Sequence, residues 1–101
     1  MKRGEVWRYE PVINRSGRPG ARLIVPANAI NDNPAVPIVY AMHLADTDPA
    51  SLLAARIGEH GWAVATEIDR PVRKRLVERL GEATADEMDL VDSAIRATFE
   101  V

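Results

Sequence analysis

The sequence contains no cysteine. That removes disulfides, thiolate metal sites and cysteine nucleophiles, and it suits a reducing cytosol. Aromatic residues are scarce and scattered: two Trp, two Tyr and one Phe in 101 residues. A peptide-binding groove of the SH3 type needs its aromatics clustered, so a generic peptide-docking module is disfavoured. No apolar run approaches the roughly 20 residues of a membrane span, and no membrane partner is expected. The opening Met1-Lys2-Arg3-Gly4-Glu5-Val6-Trp7 lacks the apolar stretch of a signal peptide and reads directly into structure, so a cytoplasmic location is the expectation. There is no phosphate-binding loop, dinucleotide fingerprint or Gly-x-Ser-x-Gly elbow. His60 has no partner at metal-ligand spacing, and neither a metal nor a cofactor is expected. Repeats and low-complexity tracts are absent too. The length implies one domain over residues 1–101, with a core small enough that a dimer interface would add to its stability.

Charge is present in both signs, with a formal net of −2. It is unevenly spread. Residues 1–26 hold six basic and two acidic groups, and residues 70–79 hold five basic and one acidic. The stretches 27–69 and 80–101 are each acidic, with six carboxylates against one cation. If folding joins the two basic blocks, a polyanion has a place to bind; otherwise the surface is an ordinary mixed one.

Strand signals dominate. Glu5 to Tyr9 alternates polar with β-favouring residues. Arg22 to Val25 reads as a buried strand stopped by Pro26. Ile38 to Leu44 is the strongest strand in the chain, followed by a turn at Asp46-Thr47-Asp48-Pro49. Asn14 to Gly20 is a loop, and Asn28 to Pro37 a loop or a short turn of helix. Ser51 to Ile57 leans to strand, Gly58 to Gly61 is a turn, and Trp62 to Ala65 opens a further strand. Asp69 with Pro71 two residues on looks like the cap of one helical turn. Arg75 to Leu80 fits helix or strand, with Gly81 as its end. The last element is the clearest. Thr84 and Glu87 form a capping-box pair, and Met88, Val91, Ile95 and Thr98 or Phe99 share a helical face, which predicts a helix over about 85–97. Many short strands and one terminal amphipathic helix suggest a small barrel with a helix packed on it.

Three segments, in order, resemble the MazF/PemK toxin family of the CcdB/MazF superfamily. Lys2-Arg3-Gly4-Glu5-Val6-Trp7 is similar to its opening, and Arg22-Leu23-Ile24-Val25 to its second strand. From Glu67-Ile68-Asp69 through Arg75-Leu76, Leu80-Gly81 and Thr84-Ala85-Asp86-Glu87-Met88 to Phe99, the chain follows its C-terminal half. The resemblance implies a mainly β fold with a C-terminal α-helix, a small SH3-like β-barrel of the CcdB/MazF/Kid type. It implies a homodimer that engages a cognate antitoxin. It also implies a metal-independent, sequence-selective endoribonuclease acting on single-stranded RNA, the toxin of a type II toxin–antitoxin system.

Metal-free RNA cleavage needs a base for the 2′-hydroxyl, an acid for the leaving oxygen and positive charge on the phosphorane. By the resemblance, Arg22 stands at the family's catalytic Arg, and a guanidinium grips phosphate oxygens while staying charged. His43 stands where the family has Thr or Ser; unlike a hydroxyl, an imidazole shuttles protons near neutral pH. Glu67 and Asp69 replace the family's Gln and Arg. Two carboxylates repel a phosphate, yet one of them would serve as a general base. Arg70 restores a positive charge one place on. Arg15 and Arg18 lie in the family's mobile loop, as phosphate clamps or merely solvated. Trp7 and Trp62 offer rings for base stacking, though Trp7 reads as core and His60 as solvent-facing. One rival reading is a silent relative that binds an antitoxin or RNA without cutting. Gyrase poisoning of the CcdB kind is disfavoured, because Thr98-Phe99-Glu100-Val101 replaces the Trp-Gly-Ile end.

Overall fold

Alternation along the chain is realised as a single antiparallel sheet whose two faces bury different residues. The computed structural model describes residues 1–10, 20–25 and 27–100. Arg15 and Arg18, with the loop expected around them, lie outside the described residues, as does Pro26. The elements are β1 (Glu5–Tyr9), β2 (Gly20–Ile24), a single helical turn α1 (Asn28–Asn31), β3 (Ala41–Ala45), β4 (Ala54–Arg56), β5 (Trp62–Asp69), β6 (Leu76–Glu82) and α2 (Ala85–Phe99). The sheet order is β4-β5-β3-β2-β1-β6. The edge strands β4 and β6 are not paired with each other, so the six strands of the SH3-like barrel form an open sheet.

One face carries Val6, Leu23 and Met42, fully buried against Met88, Val91 and Ala94 of α2. The next residue along each strand points the other way. Trp7, Ile24 and Ala41 belong to a second cluster with Val39 and Leu76. Thr84 caps α2 as its spacing predicts: its hydroxyl accepts the Glu87 N–H at 3.1 Å, and the Glu87 carboxylate accepts the Thr84 N–H at 2.8 Å. No helix among the described residues is long and apolar enough to cross a membrane.

Four expectations are corrected. The third strand starts at Ala41 and not at Ile38. Residues 38–40 pair elsewhere: Val39 N–H donates to Pro71 O at 3.0 Å, and Tyr40 is tied to the fully buried Asn31. Asp69 caps no helix; it is the last residue of β5, and the short 3-10 turn falls later, at Arg73–Arg75. Gly81 lies inside β6, which runs to Glu82 and pairs with β1. The open choice at 75–80 is therefore strand. His60 is not turned to solvent. It is half-buried and lies against Gly81, where an added Cβ would come within 2.7 Å of its Nε2.

The β1–β6 pairing does join the two basic blocks, but it also neutralises much of them. Arg8 meets Glu78 at 3.2 Å, and Arg79 meets Glu5 at 3.1 Å and Glu82 at 2.7 Å. Burial pushes the Glu5 carboxyl up. The Lys2 N–H, the Trp7 indole and the Arg79 guanidinium outweigh that and hold it below its ordinary value. Arg73 is spent on structure, donating to the carbonyls of Asn31 at 2.6 Å, Asn33 and Val36 at 2.9 Å and Ile30 at 3.0 Å. It thus satisfies the orphan carbonyls at the end of α1.

Asn31 stitches β2 to β3 where their ladder stops. Its amide donates to Val25 O at 3.0 Å and Tyr40 O at 3.2 Å, and its oxygen accepts from Tyr40 N at 2.9 Å. Asn31→Ala strips partners from buried backbone groups and is expected to cost about 3 kcal/mol, the upper end for such losses. Thermal melting should then fall by roughly 12–24 °C.

Candidate active site

Sheet register decides which side chains meet. Arg22 on β2 lies directly opposite His43 on β3. Asp69, at the end of β5, lies opposite Ala41, two residues before His43. In antiparallel pairs opposed residues share a face, so all three side chains project from the face opposite α2.

They converge on one carboxylate oxygen. Asp69 Oδ2 is 3.0 Å from His43 Nε2 and 3.4 Å from Arg22 Nε. The first distance brings the imidazole within reach of the carboxylate. The second is an ion pair without hydrogen-bond alignment: among the described residues, neither Arg22 Nε nor Asp69 Oδ1 has a hydrogen-bond partner. The Arg22 side chain is only 8 % exposed, whereas His43 is 46 % and Asp69 37 % exposed. The cation is held in the wall of the site and the imidazole stands at its mouth. The Tyr9 ring lies 4.5 Å from the guanidinium carbon and supports it by a cation–π contact.

Gly20 supplies the room for that stacking, and nothing in the sequence signalled it beyond a loop-end glycine. An added Cβ there would stand 2.8 Å from Arg22 Nη1. Nη1 itself donates to Ala21 O at 3.2 Å.

The hollow beside His43 has a structural origin. β3 pairs with β5 through Met42 and Ile68, then through Leu44 and Ala63. A single β3 residue, His43, therefore faces the stretch 64–67 of β5, which must bow away. The space left is an open cavity of about 250 Å³ lined by His43, Glu67, Ile68 and Asp69.

Of the residues singled out in the sequence, Arg22, His43, Glu67 and Asp69 are thus brought together. Arg70 is exposed just beyond β5, outside the hollow's lining, and forms no ion pair among the described residues. Trp7 is half-buried in the second core cluster with its indole on Glu5 Oε1 at 3.2 Å, as its strand position implied. Among the described residues, no group of three or more His, Asp or Glu is placed to hold a metal ion. The arrangement can bind an anion at the guanidinium, hold an imidazole in one orientation and offer a second carboxylate to a hydroxyl.

Comparison with solved structures decides the fold. The MazF of Deinococcus radiodurans (Form I) superposes with a TM-score of 0.78 at 17% identity, over 100% of this chain and 97% of that one. The chain has the MazF fold. An endoribonuclease in complex with its cognate antitoxin, from a mycobacterial species, gives a TM-score of 0.82 at 24% identity, covering 100% of this chain and 96% of that one. The Deinococcus radiodurans MazE–MazF complex (Form III) gives 0.76 at 18% identity, covering 99% and 95%. No protein-family model and no curated protein sequence matches the chain. The likeness to MazF therefore lies in the path of the backbone.

Proposed function

We propose that this chain is the toxin of a type II toxin–antitoxin pair, a homodimeric, metal-independent endoribonuclease that cuts single-stranded RNA selectively in the cytoplasm. The observation that carries the reading is the Asp69 carboxylate bridging Arg22 and His43 at the edge of an open hollow that also holds Glu67. The solved MazF-fold proteins named endoribonuclease or bound to an antitoxin support the same reading.

The chemistry follows from the groups present. Glu67 takes the proton of the ribose 2′-hydroxyl. The 2′-oxygen bonds to phosphorus and the bond to the 5′-oxygen breaks, leaving a 2′,3′-cyclic phosphate and a 5′-hydroxyl. His43, as imidazolium, gives its proton to the departing oxygen. Asp69 Oδ2, 3.0 Å from Nε2, holds the ring from that side and leaves Nδ1 for the substrate. Arg22 stabilises the charge gathering on phosphorus. A guanidinium held out of water acts through a lower effective dielectric than a surface one, which strengthens that effect. Asp69 thus serves the site by orienting its neighbour, a role different from the RNA contact expected of it.

The test is incubation of the pure protein with mixed single-stranded RNA in excess chelator. Fragments carrying 5′-hydroxyl ends support the proposal. Intact RNA, at protein concentrations that bind an antitoxin, supports a silent binding protein instead. That second reading draws on Arg22's burial and its engagement with Asp69.

Gly20→Ala probes the cradle without touching a reacting group. The clash is with the flexible end of a side chain, so the fold should survive while the guanidinium shifts. A misplacement of about 1 Å is worth up to a hundredfold in rate. The expected result is a fall of about that order in kcat with a near-normal melting curve.

A further inference from the structure

A second hollow lies at the end of the sheet where the turn between β4 and β5 meets the end of β3. It has a volume of about 240 Å³ and is lined by Asp46, Arg56, Glu59, His60 and Trp62 with the glycines between them. Its place follows from register. Ala45 pairs with Trp62, and Trp62 with Arg56. Ala45 is two residues beyond His43 on β3, about 7 Å along the strand and on the same face. Trp62 therefore stands opposite a β3 residue two places along from His43.

The hollow is prebuilt. The Arg56 guanidinium carbon stands 5.4 Å from the Trp62 ring centre, and its Nε donates to Gly58 O at 3.2 Å, which holds it there. The Gly58 N–H donates to Glu87 Oε2 at 2.6 Å and so ties the rim to the first turn of α2. Ile57 N–H closes the turn onto Gly61 O at 2.7 Å. Gly61 has φ of 115°, and a Cβ there would meet Ala45 O at 2.4 Å, so the turn is pressed onto β3 in a way only glycine allows.

We propose that this hollow is a base-recognition subsite, reading a guanine next to the scissile phosphate. The proposal rests on the ribonuclease reading and names the substrate feature that would set its selectivity. The guanidinium lies over the indole, and such layered planar groups offer faces of the kind on which unstacked bases lie. Glu59, exposed on the rim, is an acceptor-only group with two oxygens. Guanine alone among the RNA bases presents two adjacent N–H donors, at N1 and N2, that match both oxygens of one carboxylate. Uracil offers one N–H between two carbonyls; adenine and cytosine offer one amino group beside an acceptor.

The test uses short 2′-O-methyl RNA oligonucleotides, which cannot be cut, differing only in guanine or adenine at one position. The intact protein should bind the guanine form about tenfold more tightly. Trp62→Ala should weaken binding of both about thirtyfold, the middle of the range for one base–aromatic stack. Glu59→Gln, on the surface and harmless to folding, should abolish the preference while leaving adenine binding unchanged. Sequencing of cut ends should show the same loss of guanine beside the break. Guanine-selective binding without any cleavage would retain the subsite and remove the ribonuclease reading. Cleavage with the same base preference in wild type and Glu59→Gln would overturn the subsite and leave the ribonuclease standing.

Discussion

Replacing Arg22 with methionine is expected to lower RNA cleavage by about a thousandfold, the upper end for losing one preorganised donor to a developing oxyanion. Methionine is the more informative substitution than alanine, because it refills the space over Tyr9 and separates chemistry from packing. Arg22→Lys should recover little. A lysine keeps the charge but loses the planar fork that stacks on Tyr9 and faces Asp69. Rates with a short RNA substrate, read beside thermal melts, check this. Cleavage within about threefold of wild type in the methionine variant would remove Arg22 from the mechanism.

His43→Ala is expected to cost between about a hundredfold and ten-thousandfold, the range for a positioned general acid. The role can be separated from mere shape by changing the leaving group. A nucleoside 3′-(p-nitrophenyl) phosphate releases an anion that needs no proton. On that substrate the alanine variant should lose less than about tenfold, because the acid step is bypassed. An equal penalty on both substrates would assign His43 to binding rather than to proton transfer. Asp69→Asn should cost less than His43→Ala, since the amide still reaches Nε2 but no longer carries the charge that faces Arg22.

Much of the local structure was legible because its causes are local. The capping box at Thr84 and Glu87 and the apolar face of α2 are written within one segment, and α2 forms where they say. The alternation at Glu5–Tyr9 gives β1 with the same bounds. Gly81 was misread because a glycine at the end of an apolar run is ordinarily a stop. In β6 it is instead the gap into which His60 packs, a contact from a residue 21 positions away.

The site was legible as a set of residues and opaque as a geometry. Arg22 and His43 each stand out by residue type and place in a strand; that they sit opposite each other depends on the β2–β3 register, which no local signal specifies. Asp69 looked like an obstacle because a carboxylate repels phosphate. Its meaning appears only with its neighbours, a buried cation that needs a counter-charge and an imidazole within reach of the same oxygen. Gly20 illustrates the same point: its value lies in the 2.8 Å it leaves for a guanidinium.

The most direct trial of this account is a double-mutant cycle on cleavage rate with Arg22→Met and His43→Ala. Groups that act as one unit are non-additive, so the double variant should be about as slow as the slower single variant. If the two penalties multiply in full, or if either single variant cuts RNA at the wild-type rate, the carboxylate-bridged pair is not the centre that breaks the phosphodiester.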